Sequence, residues 1–284
     1  MTDGRKRAAP SGARAQQEVS GTMDEKLDER AVPGPLRLVP LTGLPAIAAG
    51  DDLAALLSDA ARAQGVALRD GVVVVAQKVV SKAEGRTVAL AEVVPSPRAR
   101  ELARLDGKDP RHAEVVLRET ARIVRRGHGV MICETRHGFV CANAGVDLSN
   151  APGRDVAVLL PLDPDASAAR LLAGLEARGA RGVAVIVSDT FGRPWREALV
   201  DVAIGCAGIE PIVDARGGRD WVGRELEVTQ MATVDQLAAA AGLLMIKDAG
   251  VPAVVVEGLR FRGGSGRGDV GTKLLRDPSQ DLFR

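Results

Sequence analysis

Two unbroken runs of apolar residues do most to constrain how this chain can fold. They are Val72–Val75, which follows Gly71, and Val183–Val187. A strand with one solvent-facing side alternates apolar and polar residues, whereas a strand covered on both faces is apolar throughout. We therefore expect a sheet that is buried on both faces. No apolar stretch approaches the roughly 20 residues that span a bilayer, so no membrane partner is expected.

Helical and strand patterns alternate along the rest of the chain. The carboxylates of Asp51 and Asp52 favour the start of an amphipathic helix at Leu53. Pro40 is expected to end the first strand, and residues 192–223, rich in Gly, Arg and Asp, are expected to be irregular. Interleaved strands and helices indicate the α/β or α+β class. The predicted strands cover residues 36–39, 72–75, 130–133, 138–141, 156–160, 183–187 and 253–256. One predicted helix begins at Leu53, and the other predicted helices cover residues 97–126, 167–178 and 233–244.

The first 33 residues differ in composition from those that follow. They contain the basic cluster Arg5-Lys6-Arg7 and few large apolar side chains, so they cannot bury enough surface to offset the entropy lost on ordering. No apolar run of about 7–15 residues follows the cluster, so a secretion signal is not expected. We predict a disordered tail at residues 1–33 and a single domain at residues 34–284.

Charge, aromatic content and cysteine usage narrow the class of protein. The formal net charge is +1 and aromatic residues make up 2% of the chain, whereas nucleic-acid binders carry a clustered basic excess or stacking aromatic side chains. No nucleic-acid partner is therefore expected. Cys133, Cys141 and Cys206 form no CxxC pair, which is typical of the reducing cytoplasm. We predict a cytoplasmic protein in which the cysteines are small buried hydrophobic residues.

Carboxylates follow two apolar segments at the points where we expect the strands to end. Asp147 follows Val146 and precedes Asn150, and the segment 188–190 reads Ser-Asp-Thr. Mg²⁺ and Mn²⁺ prefer oxygen ligands, chiefly carboxylates together with phosphate oxygens and water. Asp147, Asp189 and Thr190 are therefore candidate metal ligands. Asp also favours helix caps and turns, so a purely structural role for either carboxylate stays open.

Polar residues also follow the valine-rich strand. Lys82 could meet a phosphate as a point charge, Lys78 lies one helical turn away, and the amide of Gln77 could contact a base or ribose. Two solvated lysines on a loop are the alternative. Residues 266–273 suggest a phosphate-binding loop, but Thr272 precedes Lys273, the reverse of the order that the motif requires.

Seven segments carry a resemblance to a known family. They are Leu41–Pro45, Gly50–Leu53, Gln77–Arg86, Glu134–Asn150, Ser188–Arg196, Asp201–Gly208 and Asp281–Arg284. Read together, they resemble the coenzyme F420-0:L-glutamate ligases, also called F420 γ-glutamyl ligases, over residues 36–284 without a large gap. Two departures are Ala46, where the family commonly has Glu, and Met245-Ile246-Lys247, where it usually has Met-Gly.

The resemblance implies a specific activity and fold. Members of the family join L-glutamate to the carboxylate of coenzyme F420-0 and can then add further glutamates through γ-carboxyl links. They use GTP with Mg²⁺ or Mn²⁺, helped by a monovalent cation such as K⁺. The implied fold is α+β with a mixed sheet in two parts, and it forms an intertwined homodimer.

The resemblance also implies roles for individual residues. Asp147 and Asp189 would hold one divalent metal, and Thr190 would contribute to a second. Lys82 would act in catalysis together with the two carboxylates. The residues implied to contact GTP are Leu44, Pro45, Ala46, Ile47, Gln77, Lys82, Asn150 and Lys247.

Two other readings stay open at this point. A related amide ligase that acts on a different carboxylate would share every metal and nucleotide residue. A GTP-binding regulator without catalytic activity would bind the nucleotide but release no phosphate.

Overall fold

The computed structural model describes residues 34–149, 151, 153, 155–264 and 266–281. The predicted tail at residues 1–33 and the predicted GTP contact Asn150 lie outside the described residues. Within them the strands are β1 Arg37–Leu41, β2 Gly71–Ala76, β3 Thr87–Ala89, β4 Thr120–Gly127, β5 Val130–Thr135, β6 Val140–Ala142, β7 Val156–Val158, β8 Ala184–Arg193, β9 Arg196–Ala207, β10 Val213–Asp214, β11 Gln230–Met231 and β12 Ala253–Glu257. The helices are α1 Leu53–Ala63, α2 Gln77–Ala83, α3 Pro97–Asp106, α4 Pro110–Glu119, α5 Pro164–Ala177, α6 Thr233–Gly242 and α7 Val270–Lys273.

A five-stranded mixed sheet, in the order β1-β12-β2-β8-β9, forms the centre of the fold. Strands β2 and β8 run parallel, and every other neighbouring pair in this sheet is antiparallel. The side chains of Val72–Val75 are completely buried, as their unalternated pattern predicts. Helices α1, α5 and α6 pack around this sheet. The class is therefore α+β with a mixed sheet, as expected.

A second cluster of buried apolar residues lies under an antiparallel sheet ordered β4-β5-β6. It includes Val115 and Val116 of α4 with Met131 and Cys133 of β5. All three cysteines are free and buried, which confirms their prediction as small hydrophobic residues. None of the described helices has the length and apolar character needed to cross a membrane.

The sequence expectations for the first strand and for the helix at residues 97–126 are wrong. Pro40 does not end the first strand, because β1 is an edge strand that pairs only with β12, and an edge strand tolerates proline. The helix expected at residues 97–126 breaks at Gly107, whose φ of 65° is left-handed, and resumes at Pro110. It then ends at Glu119, and β4 follows directly.

The segment 188–207 departs most from expectation. Strand β8 does not end at Val187 but continues to Arg193, so Ser188, Asp189 and Thr190 lie inside the strand. The irregular structure expected at residues 192–223 is wrong for Arg196–Ala207, which form β9 and pair with β8 in a hairpin. Residues 208–223 have only the two-residue strand β10 as regular structure. The turn is tight, with Arg193 opposite Arg196 and a left-handed φ of 56° at Trp195. This hairpin carries Asp189 and Thr190 on β8 and Asp201 on β9.

Candidate active site

A cavity of about 340 Å³ opens where β2 passes into α2 and where β8 extends as the hairpin. Its walls come from six separate parts of the chain, brought together only by folding. The lining residues are 44–47, 76–79 with Lys82, 188–190, Asp201, 245–247 and 250–252. A concave site of this size with apolar walls and a few polar groups is typical of small-molecule binding.

Helix α2 supplies the basic side of the cavity. It begins at Gln77, immediately after β2 ends at Ala76, so the residues after the strand lie on a helix and not on a loop. Burial, and then the nearby Lys78, lower the pKa of Lys82 from its ordinary value. The buried Gln77 accepts a hydrogen bond at Oε1 from Ser81 Oγ at 2.8 Å, which leaves its amide nitrogen as a donor. Two amines and an amide donor here suit an anionic ligand such as a phosphate.

The β8–β9 hairpin supplies the acidic side. Asp189 and Thr190 line the cavity from β8, and Asp201 lines it from β9, directly opposite Thr190. Burial raises the pKa of Asp189 to about 7. The negative charges of Asp147 and Asp201 act in the same direction, against the backbone N–H of Thr190 and the ammonium of Lys78. The carboxyl of Asp189 is thus in a place where added positive charge would be stabilising.

Asp147 reaches this site through Lys78. Lys78 Nζ lies 2.6 Å from Asp147 Oδ2 and donates a hydrogen bond to Ser149 Oγ at 2.7 Å. Asp147 also forms a turn, because its Oδ1 accepts a hydrogen bond from the backbone N of Ser149 at 2.7 Å. Burial opposes ionisation of Asp147, but the bonds from Lys78 and Ser149 outweigh it and lower its pKa below the ordinary value. Asp147 therefore has the structural role in a turn that the sequence left open, and it also contacts Lys78 at the site.

The donors around the cavity fit a hard divalent cation by their chemistry. Asp189, Thr190 and Asp147 offer only oxygen atoms, and a cation would relieve the charge repulsion that contributes to the raised pKa of Asp189. In the part of the chain that the structure describes, no three His, Cys, Asp or Glu side chains form a ready metal-binding group. A cation here would complete its ligands with water or with oxygens of a bound phosphate.

The structure brings together most of the residues singled out from the sequence, although it does not test their roles. Asp147 joins the cavity through Lys78, and Asn150 is outside the described residues. The predicted residues that line this cavity are Leu44, Pro45, Ala46, Ile47, Gln77, Lys82, Asp189, Thr190 and Lys247.

Asp201 is a site residue that sequence reasoning missed. It lies in the segment that we expected to be irregular, so we did not expect it to face Thr190. A signal was present in the sequence, because a tight turn at Pro194-Trp195 pairs residues that lie at similar distances on either side of it. A hairpin reading of residues 188–207 would have placed Asp201 at the cavity.

Comparison with known proteins identifies the family to which the chain is similar. The family model described as F420-0:Gamma-glutamyl ligase matches residues 43–258. The chain is 48% identical over 252 residues to the "Coenzyme F420:L-glutamate ligase" of Methanothermobacter thermautotrophicus, covering 88% of this chain and 99% of that protein. It is 46% identical over 256 residues to the protein of the same name from Methanopyrus kandleri, covering 88% and 98%. The protein of that name from Methanocaldococcus jannaschii is 40% identical over 219 residues, covering 76% and 86%.

The matched region contains the cavity walls on both sides, from Leu44 to Pro252. The identity to each of these relatives extends over most of both chains. This chain therefore belongs to the F420-0:gamma-glutamyl ligase family.

Proposed function

We propose that this chain is a ligase that joins L-glutamate to coenzyme F420-0 in the biosynthesis of coenzyme F420, and that GTP drives the reaction. The relatives named as coenzyme F420:L-glutamate ligases, matched over nearly their whole length, support the activity. One observation carries the proposal. Residues expected from the sequence to contact a nucleotide and a metal, from widely separated parts of the chain, line one cavity.

The chemistry explains why such a cavity would need both signs of charge. A carboxylate is a poor electrophile, so it must be activated before an amine can attack it. An acceptor carboxylate oxygen attacks the γ-phosphorus of GTP, the bond from that phosphorus to the β-phosphate oxygen breaks, and GDP leaves. The neutral amine of L-glutamate then attacks the acyl carbon and loses a proton to solvent. An amide bond forms and inorganic phosphate leaves. The same cycle on the new terminal γ-carboxylate would add further glutamates.

The amines of α2 provide positive charge for the phosphates. Lys82 faces the cavity half-buried, and an amine partly removed from water interacts more strongly with a phosphate than an exposed one. Positioned charges of this kind act in phosphoryl transfer mainly by stabilising charge in the transition state. In this proposal Gln77 holds the base or ribose, and the apolar segment 44–47 and Lys247 form further parts of the nucleotide site. Asn150, implied by the resemblance, would join them.

The acidic side would hold the cations. Asp147 and Asp189 would bind one Mg²⁺ or Mn²⁺, and Thr190 would contribute to a second, with K⁺ as an accessory monovalent ion. Bound divalent ions supply neutralisation of phosphate charge. Binding at Asp147 would require Lys78 to release or share Oδ2, which it now contacts at 2.6 Å.

We further propose that the protein acts as a homodimer with intertwined subunits. The β8–β9 hairpin exposes large apolar side chains, with Trp195 78% exposed and Leu199 59% exposed. Exposed apolar groups on a projecting hairpin favour burial against a partner. Sedimentation equilibrium should give twice the 29.6 kDa of one chain, and a monomer at micromolar concentration would contradict this part of the proposal.

The activity is tested by incubating the protein with F420-0, GTP, Mn²⁺ and L-glutamate and analysing the products by mass spectrometry. We expect glutamylated F420 together with stoichiometric GDP and phosphate. Product from a different carboxylate but not from F420-0 would favour a related amide ligase, and GTP binding without phosphate release would favour a regulator.

Asp189→Asn is the informative variant for this assay. Loss of one such electrostatic contact costs on the order of 10²–10³ in rate, and more when a metal is lost with it, so we expect turnover to be abolished. Asp59→Asn is a matched control, because Asp59 is exposed on α1, away from the cavity lining, and forms an ion pair with Arg62 of the same helix. Near-normal glutamate incorporation by a folded Asp189→Asn protein would count against the assignment.

A further inference from the structure

Thr190 and Asp201 are cross-strand partners in the β8–β9 hairpin, and both face the cavity. Thr190 Oγ1 donates a hydrogen bond to Asp201 Oδ1 at 2.7 Å. A hydroxyl has one proton and two acceptor lone pairs. Because the proton is directed at Asp201, the lone pairs of Oγ1 remain for another partner.

The carboxylate of Asp201 is held from a second direction by helix α6. A Cβ atom at Gly242 would lie 2.5 Å from Asp201 Oδ2 and 2.9 Å from Asp201 Cγ. Distances this short show that the carboxylate packs against α6 at Gly242, where an added methyl group would displace it. Asp201 therefore lies between Thr190 and α6.

We propose that Asp201 is a positioning residue that orients the hydroxyl oxygen of Thr190 toward a divalent cation. By accepting the hydrogen bond from the hydroxyl group, the Asp201 carboxylate sets the direction of the Oγ1 lone pairs and makes Oγ1 a stronger metal ligand. Carboxylates that accept a proton from a metal ligand act in this way in many metal sites. This inference rests on the proposed metal role of Thr190 and deepens it, because no role was expected for Asp201.

Asp201 could instead have one of two simpler roles. A carboxylate that only stabilises the hairpin would affect folding but not cation affinity. A carboxylate that binds the cation itself would act whether or not Thr190 has a hydroxyl. Cation affinity in a double-mutant cycle distinguishes the three roles.

The test measures Mn²⁺ binding by the loss of the free-ion signal in electron paramagnetic resonance, with the full chain, in the absence and presence of GTP. The variants are Asp201→Asn, Thr190→Val and the double variant, with Asp59→Asn as the control carboxylate on an exposed helix face. Removal of such an outer partner costs about 10–100-fold in metal affinity. We expect Asp201→Asn to weaken Mn²⁺ binding by that factor and Asp59→Asn to leave it within twofold. In the Thr190→Val background, Asp201→Asn should have no further effect.

Gly242→Ala gives a second, independent variant, because it keeps every polar group and the three atoms nearest to its added Cβ all belong to the Asp201 side chain. It should weaken Mn²⁺ binding in the same direction, with folding checked by circular dichroism. Unchanged affinity in folded Asp201→Asn overturns the inference, and an equal loss in the Thr190→Val background makes Asp201 a direct ligand instead. If the unsubstituted protein forms product while Asp201→Asn keeps full Mn²⁺ affinity, only this inference falls. If the unsubstituted protein binds no Mn²⁺ in either condition, the metal assignment falls with it.

Discussion

Replacing Lys78 by methionine removes the ammonium that holds the Asp147 carboxylate while keeping most of the apolar stem. The wild-type ammonium lies 2.6 Å from Asp147 Oδ2 and 2.7 Å from Ser149 Oγ. A hydrogen bond to a charged group contributes about 1.5–3 kcal/mol when it is well buried. The side chains of Lys78 and Asp147 are 17% and 37% exposed, so solvent screening reduces this contribution. We expect a loss of about 1–2 kcal/mol in the free energy of unfolding at pH 7, or a fall in Tm of roughly 2–8 °C.

The loss should depend on pH in a direction that follows from the pKa of Asp147. That pKa is lower in the folded protein than in the unfolded chain. Ionised Asp147 therefore stabilises the fold at any pH above its pKa in the unfolded chain, and this contribution is lost as the pH falls through its pKa in the folded protein. Without Lys78, only the hydrogen bonds from Ser149 oppose the effect of burial, so the pKa of Asp147 is higher than in the wild type. The difference in stability between wild type and Lys78→Met should therefore shrink as the pH falls from 7 through the ordinary carboxyl value of about 4.

Urea denaturation followed by circular dichroism at pH 7 and at about pH 3.5, below the ordinary carboxyl pKa, measures this difference. Lys273→Met is the matched control, because Lys273 Nζ also lies 2.6 Å from a carboxylate, that of Glu210, but the lysine side chain is 43% exposed against 17% for Lys78. The control should lose less than about 1 kcal/mol. Equal losses in the two variants, or a loss from Lys78→Met that does not change with pH, would refute the reasoning.

Two further predictions concern packing and buried thiols. A Cβ atom at Gly205 would lie 2.3 Å from the carbonyl carbon of Pro164, so Gly205→Ala should cost at least about 2 kcal/mol and lower Tm in a thermal melt, whereas Gly271→Ala, with no atom within 4 Å, should not. An unchanged Tm for Gly205→Ala would show that β9 and α5 are not in direct contact. Burial raises the pKa values of Cys141 and Cys206 to about 12, from the ordinary value of 9.0. The thiols of the unfolded chain therefore lose their protons at a lower pH than those of the folded protein. Above pH 9 the free energy of unfolding should fall by up to about 1.4 kcal/mol per pH unit for each thiol. Urea midpoints at pH 8 and pH 10 test this, and a Cys141→Ala/Cys206→Ala protein that falls as steeply as wild type would contradict it.

The buried sheet was predictable because its signal is local. Four consecutive valines leave no polar face, so β2 could only be covered on both sides. Helix α1 was predictable for a similar reason, because Asp52 caps it by accepting a hydrogen bond from the backbone N of Ala55 at 2.9 Å. In both cases neighbouring residues determine the structure.

The parts that failed depend on pairing between distant residues. Strand β4 carries Arg122, Arg125 and Arg126, a polar pattern that suggested a helix, but β5 pairs with it along its length. The polar residues 188–190 suggested the end of a strand, but their partners in β9 extend it to Arg193. Asp201 was missed for the same reason, because only the hairpin register places it opposite Thr190.

The most direct test of the central claim follows oxygen from the acceptor to phosphate. F420-0 labelled with ¹⁸O in its carboxylate is incubated with the protein, GTP, Mn²⁺ and unlabelled L-glutamate, and the released phosphate is analysed by mass spectrometry. If the carboxylate is phosphorylated in the cavity formed by α2 and the β8–β9 hairpin, one ¹⁸O atom will appear in the phosphate released with the first glutamate, and Asp189→Asn will release none. Glutamylated product accompanied only by unlabelled phosphate would contradict activation through an acyl phosphate.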